Sequence, residues 1–216
     1  EVTTMKNPEI IATDDGSSTL VSAEFEGELY HSSRGAVGEA RHIFIRFLRP
    51  DVRVFEVGLG SGLNALLSLE SGLKIDYSAV ELYPITSDVA SRLSFACAEL
   101  IAIHNAPWGE KVQITPQFSI YKIKGDLVSL TAEQIAARGA IDLVFFDAFA
   151  PDVVPEMWSE AVLTKIYEAM APDGQLLTYS AKGSVKRALG TAGFTIERLE
   201  GALGKRHMLR ATKAII

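Results

Sequence analysis

The chain has 216 residues, 48% of them hydrophobic and 22% charged, with a net charge of −6. That is enough apolar material for one substantial core with an appendage, and too little chain for two full domains. No run of about 18 apolar residues is present to cross a bilayer, and Glu1 to Pro8 lack the apolar block of a secretory signal, so a soluble, cytoplasmic protein is expected. The chain does not open on Met, which suggests that a short N-terminal piece precedes it. The single Cys97 excludes an internal disulfide and reads as a buried, inert thiol in a helical pattern.

Taken in order, Ile10–Thr13 and Thr19–Ser22 are strand-like runs joined by Asp14-Asp15-Gly16-Ser17, a hairpin composition. Residues 1–35 are assigned to this N-terminal extension and residues 36–216 to the main domain. Apolar spacing at Ala40, Ile43, Phe44, Phe47 and Leu48 predicts an amphipathic helix over 38–48, ended by Pro50. Val54–Val57 is a strand that stops in Gly58, Gly60 and Gly62, and Leu63–Leu69 has the spacing of a buried helix face. Strand and helix then alternate. Ile75–Val80 is a strand ending in Glu81, and Pro84–His104 reads as one long helix with Pro84 in its first turn. Val112–Ile114 and Phe118–Ile123 are extended, and Thr131–Arg138 is a short capped helix. Ile141–Phe146 is a buried strand and Ser159–Met170 a helix. Pro172-Asp173-Gly174 is a turn leading into strand Gln175–Ser180. Helix Val185–Ala192 and a hairpin of Phe194–Leu199 with Arg206–Thr212 close the chain. The pattern implies an α/β, doubly wound, Rossmann-like sheet with an antiparallel strand added by the C-terminal hairpin.

Ligands bind beyond the carboxyl ends of strands in such sheets, so the residues after each strand carry the chemistry. The glycine loop permits positive φ and close backbone approach to a ligand. A dinucleotide fingerprint needs its third glycine at position 63, which is Leu63, so NAD and FAD lose ground. Glu81, about twenty residues on, is placed to accept ribose hydroxyls, and Asp126 to accept an adenine amino group. Asp147, ending an apolar strand and followed by Ala-Phe-Ala-Pro, must face a partner. An alkyl amine with a pKa of about 10.4 costs roughly 4 to 5 kcal/mol to deprotonate at pH 7. Asp147 is therefore read as an orienter of an acceptor amine first and a base second. His31, His42, His104 and His207 share no ligand spacing, so no metal is expected. Gly60-Ser61-Gly62 is no hydrolase elbow. The segment 182–213 carries eight Lys and Arg against Glu197 and Glu200, a local charge of +6 that leaves −12 elsewhere. This asymmetry suits a polyanionic partner met by one end of the molecule.

These motifs resemble the methyltransferase domain of the MnmC family, enzymes that finish the methylaminomethyl group on the wobble uridine of certain transfer RNAs. The resemblance extends over about Ile10 to Lys213. It runs through Asp15-Gly16-Ser17, Tyr30-His31-Ser32, Glu39, the loop Glu56-x-Gly58-x-Gly60-x-Gly62-Leu63-Asn64, Glu81-x-Tyr83-Pro84 and Asp147-Ala148-Phe149-Ala150-Pro151. It continues in Pro155-Glu156-x-Trp158, Thr178-Tyr179-Ser180-Ala181-Lys182-Gly183 and Gly204-Lys205-Arg206-x-Met208. It implies a class I fold and S-adenosyl-L-methionine as methyl donor, held by Glu39, Glu56, Gly58, Gly60, Gly62, Asn64, Glu81 and Asp126. The acceptor it implies is the aminomethyl group of (2-thio)uridine in a tRNA anticodon stem-loop. Asp147 would be catalytic. Tyr30, Phe149, Pro151, Trp158, Tyr179 and Lys182 would bind substrate, with Phe149, Trp158 and Tyr179 as base-stacking platforms. Lys205 and Arg206 would meet stem phosphates.

Two departures from the family pattern stand out. The bifunctional members continue into a flavin-dependent oxidase, for which 216 residues leave no room, so a stand-alone methyltransferase fed by an upstream enzyme is expected. His207 stands where an acidic residue is common. The competing readings are an aminopropyltransferase of the spermidine synthase type, which would show a richer acidic pocket, and a non-catalytic RNA-binding module with this fold.

Overall fold

In the computed structural model, residues 8–215 are described; residues 1–7, on which the expectation about a secretory signal falls, and residue 216 lie outside them. An N-terminal hairpin, β1 (Glu9–Ala12) and β2 (Ser18–Val21), precedes helix α1 (Ala36–Ile43). Then follow β3 (Val52–Val57), α2 (Leu63–Glu70), β4 (Ile75–Glu81), α3 (Ser87–Ala90), α4 (Ala98–Asn105), β5 (Lys111–Thr115) and β6 (Phe118–Lys124). The chain continues through α5 (Ala132–Ile135), β7 (Ile141–Phe146), α6 (Glu160–Ala169), β8 (Met170–Thr178), α7 (Gly183–Thr191), β9 (Thr195–Glu200) and β10 (His207–Thr212). Eight strands form one sheet in the order β5-β6-β4-β3-β7-β8-β10-β9. The central five, β6-β4-β3-β7-β8, are parallel. At one edge β5 is antiparallel to β6, and at the other β10 runs antiparallel between β8 and β9.

Apolar clusters fill both faces of the sheet, as parallel strands buried on two sides require. One face packs Phe55, Val144, Phe146 and Leu176 against Val162, Ile166 and Leu189. The other packs Val54, Tyr77, Phe118, Phe145 and Leu177 against Ile43, Phe44 and Ile103. The order of strands changes direction at β3, which lies between β4 and β7, and the loops leaving these three strands come together.

Three elements depart from the sequence expectation. The single helix over 84–104 is two short ones. Thr86 caps α3 by accepting from Val89 N, and Cys97 is not mid-helix but caps α4, its sulfur accepting from Leu100 N. Between them Ser94 exchanges two 2.8 Å hydrogen bonds with Ser18 of the hairpin, a long-range tie that a helix would break. The helix over 38–48 begins at Ala36 and gives way at Phe44 to a 3-10 turn, Ile45–Phe47. Pro172-Asp173-Gly174 does not separate helix from strand. β8 runs through it with a register shift opposite Ile141–Leu143, and Asp173 takes φ 61°.

The hairpin is fastened by Leu20, fully buried among Leu66, Val89, Ala90, Leu93 and Leu100. Leu20→Ala should cost about 2–5 kcal/mol, measured by urea denaturation. A loss below about 1 kcal/mol would show that the hairpin packs independently of α2, α3 and α4.

Candidate active site

The loops after β3, β4, β6 and β7, together with residues 22–33, the end of β8 and the β9–β10 turn, enclose a cavity of about 560 Å3. The glycine loop forms its floor. Gly60 takes φ 51°, and a Cβ there would lie 3.0 Å from the Tyr30 ring; Gly62 takes φ 78°, and a Cβ would lie 2.9 Å from His104 Nε2. Backbone conformation and close packing therefore both require glycine at these two positions. Gly60 N donates to Glu81 Oε2 at 2.8 Å, and Tyr83 N to Oε1 at 2.8 Å, so the carboxylate is fixed at the end of β4. Burial raises the Glu81 pKa against these backbone donors.

Two histidines clamp the loop at Ser61, a role that ligand spacing could not reveal. His31 Nε2 lies 2.9 Å from Ser61 Oγ, and His104 Nε2 donates to Ser61 O at 3.0 Å. Burial pushes His31 down to about 4, against the opposing pull of Glu39, so the ring is neutral at pH 7.

Beneath the floor, Asn64 of α2 donates both amide protons, one to Glu56 Oε1 at 2.9 Å and one to Asp147 Oδ2 at 2.8 Å. Glu56 is 1% exposed, and its Oε2, Asn64 Oδ1 and the Tyr77 hydroxyl have no hydrogen-bond partner among the described residues. Burial holds Glu56 well above the carboxylate range, with Asp147 adding to the effect. Protonation leaves one fewer buried charge in this layer. Burial pushes Asp147 up to about 7, with Glu39 adding and Asn64 and Lys205 opposing. Asp147 lines the cavity; Glu56 and Asn64 do not. Their contact with the cavity runs through Asp147, which differs from the direct donor contact expected for them.

The remaining expected residues divide similarly. Gly58, Gly60, Glu81, Glu39, Asp126, Tyr30, Phe149, Tyr179 and Lys205 line the cavity. Asp126 also caps a 3-10 turn by accepting from Val128 N at 2.9 Å. Tyr30 meets Phe149 edge to face at 5.3 Å, and Phe25, which sequence reading passed over, packs on Phe149 at 5.0 Å and Tyr83 at 6.1 Å. Tyr179 fixes its hydroxyl on Ala148 O at 2.8 Å. Gly62, Pro151, Trp158, Lys182 and Arg206 are not among the lining residues. Trp158 is a support rather than a platform: it is buried, stacks on Phe146 at 4.6 Å and donates Nε1 to Phe149 O at 2.8 Å. Lys182 is exposed and paired with Asp152. Lys205 turns inward onto Glu39 Oε1 at 2.8 Å. Carboxylates Glu24, Glu28 and Glu156 also line the cavity without having been assigned to it; the signal for Glu24 and Glu28 is a run of acids around Phe25 without helical or strand period, and Glu156 stands in the Pro155-Glu156-x-Trp158 segment.

A switch-point cavity floored by a glycine loop, with a carboxylate at the end of the next strand and an antiparallel β10 in the sheet, defines a class I S-adenosyl-L-methionine-dependent methyltransferase. Residues 86–214 match the model of a family described as S-adenosyl-L-methionine-dependent methyltransferase, and the chain belongs to that family. It is 32% identical over 221 residues to a protein of Aromatoleum aromaticum named tRNA 5-methylaminomethyl-2-thiouridine biosynthesis bifunctional protein MnmC, covering 92% of this chain and 34% of that one. The protein of the same name from Pseudomonas aeruginosa strain UCBPP-PA14 is 29% identical over 213 residues, covering 86% and 32%. The chain thus spans about a third of the length of these curated relatives. The crystal structure of MNMC2 from Aquifex aeolicus superposes with a TM-score of 0.74 at 26% identity, covering 99% of this chain and 72% of that one. Among the described residues, no helix is long and apolar enough to cross a membrane, and no group of three or more His, Cys, Asp or Glu could hold a metal ion.

Asp147 holds its proton to about pH 7 in the folded chain, but an unfolded aspartate releases it near 4. Its contribution to stability is whole below about pH 4 and is lost as pH rises through 7. Asp147→Asn should therefore be more stable than wild type at pH 8, by up to about 4 kcal/mol, with no advantage at pH 4. Denaturation at the two pH values decides, and an advantage equal at both would refute the buried-carboxyl account.

Proposed function

We propose that this chain transfers a methyl group from S-adenosyl-L-methionine to the exocyclic amine of 5-aminomethyl-(2-thio)uridine at the tRNA wobble position, giving 5-methylaminomethyl-(2-thio)uridine. The observation that carries this reading is Asp147, with a pKa of about 7, set between the glycine loop and an aromatic wall. The names of the MnmC relatives support the substrate. An upstream enzyme supplies the aminomethyl uridine.

The residues present fit the donor. Where a Cβ at Gly60 would strike Tyr30, the bare backbone leaves the floor open, and Gly58, Glu81 and Asp126 stand around the same volume. These residues would hold it, with Glu81 as acceptor for hydroxyls. Bound there, the donor would supply a methyl group on positively charged sulfur, open to the lone pair of a neutral amine, with the C–S electron pair left on sulfur. Asp147 orients the amine and takes a proton from it, a task suited to a carboxylate whose pKa lies near the working pH. Tyr30, Phe149 and Tyr179 offer faces for an unstacked loop base. Incubating wobble-undermodified tRNA with the protein and S-adenosyl-L-methionine should yield a nucleoside one methyl heavier at that position, read by mass analysis. Asp147→Ala should lower turnover by about 100-fold or more with donor binding retained, and unchanged turnover would remove Asp147 from the chemistry.

In the basic C-terminal segment Lys186 and Arg187 of α7, Arg198 of β9 and Arg206 of the β9–β10 turn are exposed and make no ion pair among the described residues, so they are the cations of that segment free to meet phosphates. Arg187→Glu with Arg206→Glu should weaken tRNA binding and flatten the slope of log K against log salt by about two units. An unaltered slope would place the RNA on another face.

The rim carboxylates Glu24, Glu28 and Glu156 are what a polyamine would also meet, which is the one feature favouring an aminopropyltransferase. Preference for the decarboxylated donor in a binding assay would select that reading instead.

A further inference from the structure

Among the described residues, Lys205 is the one lysine or arginine lining the cavity. The sequence places it with the phosphate contacts, but its side chain, though exposed, turns onto groups of the cavity wall. Nζ lies 2.8 Å from Glu39 Oε1 and 4.7 Å from the centre of the Tyr179 ring. The turn that carries it is held from the opposite side by Arg34 Nη1, which donates to Leu203 O at 3.0 Å. Glu39 is itself fixed, its Oε2 accepting from Ser32 N at 2.9 Å. The ionisable groups around this part of the cavity are Glu28 and Tyr30 after β2, Glu39 of α1, Asp147 after β7, Glu156 before α6 and Tyr179 after β8.

A carboxylate beside an aromatic face is a good site for an alkylammonium. That is a hazard for an enzyme whose acceptor is an amine. With a pKa of about 10 the acceptor arrives protonated, without a lone pair to attack. An open site between Glu39 and Tyr179 would hold it in that unreactive form. We infer that Lys205 fills this site with an ammonium of the protein's own, which withdraws Glu39 from the acceptor and favours the acceptor's neutral form by like-charge repulsion. The proton leaving the acceptor nitrogen goes to the Asp147 carboxylate, and the N–H electron pair remains on nitrogen. Lys205 is thus a positioning residue that sets the protonation of the acceptor without touching the reacting atoms. This rests on an amine being the acceptor, as proposed above.

The test is the pH dependence of kcat, from about pH 6 to about pH 9.5, for tRNA carrying aminomethyl uridine. In Lys205→Met the midpoint of the rising limb should move up by about one unit or more, so that turnover falls about tenfold at pH 7 and recovers in alkali. Lys205→Arg, which keeps the charge, should stay within a few tenths of a unit of wild type. Adding Glu39→Gln to Lys205→Met should move the midpoint back down, since the uncovered carboxylate is then gone. An unmoved midpoint in Lys205→Met overturns the inference; so does a rise in KM for tRNA with a weaker salt dependence and no change in midpoint, which marks a phosphate contact. If wild type forms no methylated wobble nucleoside, the acceptor assignment falls and this inference with it. Wild-type turnover with an unmoved midpoint removes Lys205 alone.

Discussion

Asn64 donates both amide protons to carboxyl groups, Glu56 Oε1 at 2.9 Å and Asp147 Oδ2 at 2.8 Å. Glu56 lies in β3 and Asp147 directly follows the adjacent parallel strand β7, and the side-by-side ends of the two strands bring the acids together. Two carboxylates this close in a buried layer cannot both stay ionised without compensation. The compensation is one amide and a proton: Glu56 is held well above the carboxylate range, and Asp147 is raised to about 7. The glycine loop runs above this layer and α2 begins beside it, so the geometry of the floor and the proton affinity of Asp147 share one cause. The site carries a strained electrostatic arrangement that the surrounding core, with Phe55, Val57 and Val144 fully buried, is rigid enough to keep.

The cavity is closed by residues that precede the doubly wound part of the chain. Tyr30 lies on Gly60, His31 holds Ser61, Ser32 holds Glu39 and Arg34 holds the β9–β10 turn. The hairpin before them is tied down by Leu20 and by the Ser18–Ser94 pair. The N-terminal segment therefore serves as the outer wall of the site. It supplies aromatic surface, the neutral imidazole of His31 and the rim carboxylates Glu24 and Glu28, while the ends of the sheet strands supply Glu81 and Asp147. Trp158 belongs to the same logic: its indole spends Nε1 on Phe149 O and so steadies the backbone on which the aromatic wall is built.

Most of the elements were legible in order, because hydrophobic period and turn composition are local properties. Val54–Val57, Ile141–Phe146 and the closing hairpin are read from apolar runs bounded by glycine or charge. The failures fall where a distant contact outweighs local preference. Residues 84–104 have helical spacing throughout, yet Ser94 is claimed by Ser18 and the helix divides. Pro172-Asp173-Gly174 has turn composition, yet pairing with β7 and β10 carries β8 through it.

The sequence by itself pointed to the methyl-donor class, since Leu63 breaks the dinucleotide fingerprint and the spacing of Gly58, Gly60 and Gly62 resembles the first motif of class I methyltransferases. It also marked Asp147, because a carboxylate ending a fully apolar strand must find a partner. Only the tertiary structure decided what each charged group faces. Glu56 and Asn64 lie under the floor, Lys182 is bound to Asp152, and Lys205 lines the cavity in a pair with Glu39. The physical reason is that Coulomb and desolvation energies depend on separations across the fold, such as those from Lys205 to Glu39 or from Asn64 to Asp147. Separation along the chain carries no record of those distances.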